Sequence, residues 1–385
     1  MEYSLDEQQK TLRSLARRIA EERILPVRAE LDEKEEFPWA LMKDLADSDM
    51  FRLFIPEEYD GLGSGCLDLC LVVEELSRVC SGVAVSYAAS ALGSSAILEY
   101  GTEEQKQKYL PDIAAGKRLA AFALTEPTAG SDASAIRTTA EKTSGGYVLN
   151  GTKQFITNGG EAEIYTVIAL TDKTKGARGA SALVVEKDTP GFSFGRKEKK
   201  MGIRTSSTRE LIFRNCIVPE ENLIGREGMG FVMTMKILDR SRPGIGAQAV
   251  GIAQGALEAA VDYAQGRIQF GHPIIALPVV QNMLAEMATR LEAARALVYA
   301  TARMIDSGAK RFTEEASMAK VFASDTAMKV TTDAVQIFGG AGYMRDYPVE
   351  KMMRDAKITQ IYEGSNEVLR GAIAASLRKR KARRP

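Results

Sequence analysis

The hydrophobic pattern of this chain changes period twice, and that limits its fold more than any single motif does. Up to residue 120, apolar side chains recur at helical spacing, as in Leu67, Leu71, Val72 and Leu76. From 121 to 233 the pattern breaks into short β-type runs: Tyr147-Val148-Leu149, Phe155-Ile156-Thr157, Ile164-Tyr165-Thr166-Val167-Ile168, Ala182-Leu183-Val184-Val185 and Leu211-Ile212-Phe213. Gly145-Gly146, Asn150-Gly151 and Asn158-Gly159-Gly160 punctuate them as turns. From 234 onward the chain returns to long helical stretches rich in Ala, Met, Leu, Gln and Glu. The expected architecture is α+β and mostly α. It has an N-terminal helical domain (1–120), a middle antiparallel β-barrel or sandwich (121–233) and a C-terminal helical bundle with a basic tail (234–385).

Local signals sharpen this frame. Ser4-Leu5-Asp6-Glu7 and Thr102-Glu103-Glu104-Gln105 fit the capping box, in which side chains satisfy the first free amides of a helix. Gly61-Leu62-Gly63-Ser64-Gly65 reads as a loop. Pro243 is expected to kink or restart its helix, and Pro278 to open one.

Charge excludes some partners. Lys plus Arg equals Asp plus Glu, 51 each, so nothing global points to nucleic acid. The one local bias, the tail Arg378-Lys379-Arg380-Lys381-Ala382-Arg383-Arg384, reads as solvated. Four cysteines, Cys66, Cys70, Cys80 and Cys216, match no zinc spacing, and the single histidine, His272, sits in a loop and can complete neither a metal site nor a triad. No metal is expected. No apolar run approaches the roughly 20 residues that span a bilayer, so no membrane insertion is expected. The acidic, polar N-terminus resembles neither a signal nor a transit peptide. A cytoplasmic protein with reduced thiols is expected, and a processed mitochondrial protein would read the same way.

Four segments carry chemistry. Phe122-Ala123-Leu124-Thr125-Glu126-Pro127-Thr128-Ala129-Gly130-Ser131-Asp132 offers hydroxyls, free amides and a glycine turn, which suit a planar polar ligand or a phosphate. It reads equally as a proline-containing turn. Phe155 and Thr157 lie two apart on a strand, where one can stack and the other bond, or they belong to an ordinary strand. Gln336-Ile337-Phe338-Gly339-Gly340-Ala341-Gly342 ends a helix in glycines, as a plain C-cap or as a close approach to phosphate. Ile361-Tyr362-Glu363-Gly364-Ser365-Asn366-Glu367 sets one carboxylate against one glycine between helices. That carboxylate is either solvated in a turn or held near neutrality as a base.

In order and spacing these segments resemble the acyl-CoA dehydrogenase family along almost the whole chain, from about Leu5 to Leu377, with the nearest likeness to short- and medium-chain members such as butyryl-CoA dehydrogenase. The specific pieces are Leu124-Thr125-Glu126-Pro127 with Gly130-Ser131-Asp132, Phe155-Ile156-Thr157-Asn158, Arg267-Ile268-Gln269-Phe270-Gly271, Gln336-Ile337-Phe338-Gly339-Gly340 and Ile361-Tyr362-Glu363-Gly364-Ser365. The resemblance implies the family's fold, with a four-helix C-terminal bundle, and FAD held between the β domain and that bundle. Phe122, Leu124, Thr125 and Ser131 would line the isoalloxazine, with Phe155 stacking, Ile156 beside it and Thr157 bonding near N5. Arg267 and Phe270, and the Gln336, Ile337, Phe338, Gly339 and Gly340 segment, would reach FAD across a subunit interface. That implies a homotetramer built as a dimer of dimers. Ser365, Asn366 and Glu367 would also touch FAD. Ser131, Asp239, Arg240, Ser241, Arg242, Tyr362 and Gly364 would meet the acyl-CoA.

Glu363 matches the family's catalytic base, taking the α-proton while the β-hydride goes to flavin N5. Some relatives place that base on the long helix of the bundle, where this chain has Ser241. The family usually carries a glutamine eleven residues after the counterpart of Arg267. Pro278 stands there instead, and Gln281 is the candidate substitute. Relatives acting on glutaryl-CoA carry an arginine near Ser81–Ser86, and none stands there. Ser86, Tyr87, Ser90, Gly246 and Tyr362 are expected to wall a pocket for a short, uncharged acyl chain. The implied activity is FAD-dependent α,β-dehydrogenation of an acyl-CoA to the trans-2-enoyl-CoA, with electrons passed to electron-transfer flavoprotein. The alternatives are an enoyl-CoA reductase run in reverse, a dehydrogenase of cyclic, aromatic or dicarboxylyl substrates, and a catalytically silent assembly protein of the same fold.

Overall fold

A computed structural model describes residues 3–381 of the chain. The last residues of the basic tail, and Met1-Glu2, lie outside the described residues. Helix α1 (Glu7–Ile19) is closed by a capping box, but the cap is Asp6 with Gln9, not Ser4 with Glu7. Gln9 N donates to Asp6 Oδ1 at 2.8 Å, where an anion also complements the helix dipole. Tyr3 and Ser4 instead turn the chain through positive φ. Short helices α2 (Arg28–Lys34) and α3 (Trp39–Asp47) follow, then α4 (Cys66–Tyr100) and α5 (Glu103–Ala114), whose Thr102–Gln105 capping box is the expected one.

Helix α4 is two arms joined at Cys80, whose φ of −152° and ψ of 102° leave the helical region. Both of its ends reach Arg240. Cys66 Sγ lies 4.0 Å from the Arg240 carbonyl, and Glu99 Oε1 lies 3.9 Å from Arg240 Nε. A straight helix of 35 residues would hold its ends about 50 Å apart. The chain therefore folds back sharply at Cys80, and the two arms make a V.

The strands are β1 (Ala120–Ala123), β2 (Thr139–Thr143), β3 (Gly146–Thr157), β4 (Ile164–Leu170), β5 (Ala180–Glu186), β6 (Phe192–Lys197), β7 (Thr208–Val218) and β8 (Leu223–Ile224). They form one eight-stranded sheet in the order β6-β7-β3-β2-β4-β5-β8, with β1 alongside β4. Pairing is antiparallel except for β1 and β2 against β4, which run parallel. Tyr165 of β4 meets Phe192 of β6 edge-on at 5.0 Å, although β7, β3 and β2 separate them in the sheet. The sheet must therefore curl over a shared core. Gly145-Gly146 and Asn158–Gly160 turn the chain as expected. Asn150-Gly151 does not: the register slips there inside β3, and Gly151 at φ +145° lies where a Cβ would come within 2.8 Å of Thr138. It is a bulge made by close approach.

The C-terminal region holds α6 (Gly230–Gly266), a hairpin of β9 (Ile268–Gln269) and β10 (His272–Pro273), then α7 (Pro278–Asp306), α8 (Thr313–Phe338), α9 (Val349–Thr359) and α10 (Asn366–Lys381). Pro278 starts α7 as expected, whereas α6 runs unbroken through the buried Pro243. His272 lies in the hairpin rather than a loop. Gly251 and Gly255, one turn apart, let α6 lie against the first arm of α4. A Cβ there would sit 2.2 Å from the Glu74 carbonyl and 2.1 Å from that of Arg78. All four cysteines are free thiols. No helix among the described residues is long and apolar enough to cross a membrane.

Candidate active site

The V of α4, the strands and α6 enclose a cavity of about 560 Å³, and the turn between α9 and α10 closes one side of it. The second arm of α4 turns Val85, Ala88, Ala89 and Leu92 toward the cavity, at the i, i+3, i+4, i+7 spacing of one helix face. Leu69 and Val73 of the first arm face them. The expected wall residues Ser86, Tyr87, Ser90 and Gly246 lie elsewhere. Ser86 Oγ caps the Gly82 carbonyl at 2.9 Å, Tyr87 donates to the Met50 carbonyl at 2.8 Å, and Ser90 Oγ accepts from Ala120 N at 3.3 Å. Gly246 packs on Val298. The pocket is more apolar than a choice of serines and tyrosine would have made it.

Glu363 reaches the cavity from the α9–α10 turn. Its backbone is left-handed at φ +51°, followed by Gly364 at +94°. A non-glycine residue holds that conformation when its surroundings fix it. Ser241 Oγ donates to Glu363 Oε2 at 2.5 Å. The expected alternative position for a base thus supplies a donor to Glu363. Glu363 is half-buried and lines the cavity. Burial pushes its pKa up, against the Ser241 hydrogen bond and the charges of Arg242 and Lys320. The Glu363 N–H donates no hydrogen bond among the described residues. Behind it, Tyr362 Oη donates to Gln248 Oε1, and Gln248 Nε2 to Ser81 Oγ at 2.6 Å.

The β-domain wall carries Phe122, Leu124, Thr125, Ser131, Phe155, Ile156 and Thr157. The strict alternation expected of Phe155 and Thr157 is broken by a bulge, with Phe155 at φ +59° and 59% exposed. A fully buried lysine, absent from the sequence reading, holds this wall. Lys153 Nζ donates to the Leu124 carbonyl at 2.9 Å and to Glu126 Oε1 at 2.7 Å, and Glu126 accepts from the amides of Arg137 and Thr138. Burial brings the Lys153 pKa down to about 8. The hydroxyls of Thr125, Ser131 and Thr157 make no hydrogen bond among the described residues. Three free hydroxyls beside an exposed aromatic ring fit a planar ligand with a polar edge, as an isoalloxazine has.

Arg240, Ser241, Arg242 and Gly364 also line the cavity, and both arginines are paired. Arg242 pairs with Asp239, which itself stays outside the cavity, and Arg240 with Glu99. Asn366 is buried next to the turn, while Ser365 and Glu367 open α10. Arg267, Phe270, Gln281, Gln336, Gly339 and Gly340 are exposed and lie apart from the cavity, Phe270 at 87%. Ile337 and Phe338 are core residues, Phe338 stacked on Tyr263 at 4.0 Å. No cluster that could hold a metal exists among the described residues.

Three family models match the chain: acyl-CoA dehydrogenase N-terminal domain over residues 6–117, middle domain over 121–216 and C-terminal domain over 228–378. An acryloyl-CoA reductase (NADH) of Anaerotignum propionicum is 48% identical over 382 residues, 99% of this chain and 97% of that protein. Among solved structures, a chain from the study of the electron transferring flavoprotein of Acidaminococcus fermentans is 50% identical, with a TM-score of 0.96 over 98% of this chain and 99% of that one. Butyryl-CoA dehydrogenase from Megasphaera elsdenii is 46% identical, with a TM-score of 0.95 over 98% and 100%.

The raised pKa of Glu363 has a consequence for stability. The folded carboxyl binds its proton more tightly than an exposed glutamate. Its contribution is full below the unfolded value of 4.5 and is lost as pH rises through the folded value. Glu363→Gln removes that cost. We expect the variant to melt above the wild type at pH 8, with the gap closing toward pH 4. Melting curves of the two proteins that coincide across this range would contradict the burial argument.

Proposed function

The chain belongs to the acyl-CoA dehydrogenase family of FAD-dependent oxidoreductases. From that premise we propose that it converts a short, uncharged acyl-CoA to the trans-2-enoyl-CoA, with Glu363 as the base. The observation that carries the reading is Glu363 itself: a half-buried carboxylate, held in a left-handed turn, lining an apolar cavity and raised in pKa by burial. A base poised toward the working pH can take the weakly acidic α-proton of a thioester. Bound FAD supplies the acceptor for the β-hydride. Thr125, Ser131, Phe155 and Thr157 would hold its ring. The free Glu363 N–H is a donor suited to the thioester oxygen as negative charge develops there. Ser241 orients the carboxylate, and the apolar faces of the α4 arms exclude water.

The electron acceptor we propose is an electron-transfer flavoprotein, in keeping with the relative from Acidaminococcus fermentans. A second reading, the reverse reduction of an enoyl-CoA, has the Anaerotignum relative named acryloyl-CoA reductase in its favour. Both readings use the same base as the proton donor or acceptor at the α-carbon.

Glu363→Gln keeps the shape and loses the basicity. Turnover should fall by more than the about 10²–10⁴-fold typical of a positioned base, with flavin retained by absorbance. Near-normal turnover with butyryl-CoA and an artificial acceptor would sink the assignment.

Substrate charge follows from the face of α4 that lines the cavity, where no lysine or arginine stands. A distal carboxylate lying against that apolar wall would bear an unpaired desolvation cost. The kcat/KM for butyryl-CoA should exceed that for glutaryl-CoA by at least about 100-fold, roughly 2.7 kcal/mol. A preference for glutaryl-CoA refutes the pocket argument.

The exposure of Arg267, Phe270, Gln336, Gly339 and Gly340 away from the cavity supports a homotetramer in which these residues complete a neighbour's FAD site. Light scattering should give four copies for the flavin-loaded protein, and a flavin-saturated monomer would contradict it.

A further inference from the structure

Lys320 lies in the middle of α8, wholly buried. Its Nζ donates to the Gly364 carbonyl at 2.8 Å and to Asn366 Oδ1 at 3.0 Å. Asn366 is fixed in turn, with Nδ2 donating to Ser324 Oγ at 2.9 Å and to Asp325 Oδ1 at 2.8 Å. The residue directly after Glu363 and the first residue of α10 are thus tied to one point on α8. The other anchors of the turn are the Ser241 bond to the Glu363 side chain, the Tyr362 bond to Gln248 and the bond from Asn366 N to the Gln360 carbonyl at 3.0 Å, and none of them holds the Gly364 peptide. None of the N–H groups of Glu363, Gly364 and Ser365 donates a hydrogen bond among the described residues. A buried ammonium is costly, and an apolar side chain of equal volume would fill the space at less cost. Its three donors are the property that an apolar group lacks.

We propose that Lys320 is a positioning residue for the base: by holding the Gly364 carbonyl and Asn366, it keeps Glu363 in its left-handed conformation and facing the cavity. This rests on the reading of Glu363 given above. The charges around it are consistent. Lys320 is faced by Glu363 from the turn, Arg242 from α6, Asp325 on its own helix and Glu367 from α10, and burial lowers its pKa to about 8. Glu363 is faced by Ser241 and Arg242 from α6 and by Lys320 from α8, next to Tyr362.

The test compares wild type, Lys320→Met and Glu363→Gln, all flavin-loaded. Turnover of butyryl-CoA gives kcat and KM. Infrared difference spectra without substrate, taken from pH 4 to 10, follow the carboxyl band that Glu363→Gln lacks. Lys320→Met should lower kcat by about 10²-fold, with KM within about threefold. It should also raise the midpoint of the carboxyl band by about one pH unit or more, because a facing cation is gone. Wild-type kcat overturns the proposal whether or not the midpoint moves, since loss of the charge alone raises the midpoint, and a loss of kcat that comes only with loss of flavin overturns it as well. If Lys320→Met does not fold, Lys320→Gln, which keeps an N–H donor without the charge, should raise the midpoint with a smaller loss of kcat. A wild type inactive on every thioester would overturn the proposed function alone; a broadened or displaced Glu363 carboxyl band in Lys320→Met would still show that the side chain has lost its fixed setting, and an unchanged band shape would overturn the role of Lys320.

Discussion

The site depends first on the reversal of α4 at Cys80. Without it the helix would be a rod crossing the molecule, and the face bearing Val85, Ala88 and Leu92 could not oppose the face bearing Leu69 and Val73. The bend is held from outside the helix. Arg28 Nη1 donates to the Val79 carbonyl at 3.1 Å, Lys351 Nζ lies 3.5 Å from Cys80 Sγ, and Gln248 holds Ser81. Lys351 is paired with Asp355 at 2.5 Å, and Asp355 accepts Ile203 N from the β region at 2.6 Å. One buried ion pair therefore links the bend, α9 and the chain before β7. Such a pair is weak evidence for stability but strong evidence for a fixed geometry, since removing one partner strands the other charge.

The turn bearing Glu363 shows a balance of opposing terms. Burial raises the carboxyl's proton affinity, while Ser241, Arg242 and Lys320 act to lower it. Burial prevails, and the carboxyl binds its proton more tightly than an exposed glutamate does. The contrast with Glu126 is direct. That carboxylate is also buried, but Lys153 and the amides of Arg137 and Thr138 outweigh burial and hold it below the ordinary range. Two glutamates close to one cavity thus shift in opposite directions because of what surrounds them: Glu126 is held as a carboxylate that fixes a wall, and Glu363 is pushed toward its protonated form.

The sequence made much of this legible and hid the rest for identifiable reasons. The change from helical to alternating period marked the β region. Thr102-Glu103-Glu104-Gln105 and Pro278 marked real helix starts, because caps act locally. The fold-back at Cys80 has a local signal in Ser81-Gly82, a turn-type pair directly after the bend, but the apolar periodicity on either side reads as one continuous helix, and the partners that hold the bend, Arg28, Gln248 and Lys351, are distant in sequence. The cavity face of α4 was misjudged by choosing polar residues. Ser86 and Ser90 spend their hydroxyls on nearby backbone, and the cavity-facing positions of the second arm are mostly alanine, valine and leucine. Asn150-Gly151 looked like a turn because a bulge and a turn use the same residues. Lys153 and Lys320 were missed because a lysine in a strand or helix reads as solvated, and only tertiary contacts show otherwise.

A division of hydrogen bonding runs through the whole site. Around the cavity a set of polar groups is bonded in place: Lys153 with Glu126, Tyr362 with Gln248, Lys320 with Asn366 and Asn366 with Asp325. On the surface itself the hydroxyls of Thr125, Ser131 and Thr157 and the amide of Glu363 are free. A protein that left such groups unbonded in its core would be destabilised by each of them. At the wall of a cavity they can be hydrated, and a ligand that replaces that water meets donors already fixed in direction. The rigidity of the outer network is what makes those free groups directional, so the geometry offered to a ligand in the cavity is set largely by residues bonded behind its wall.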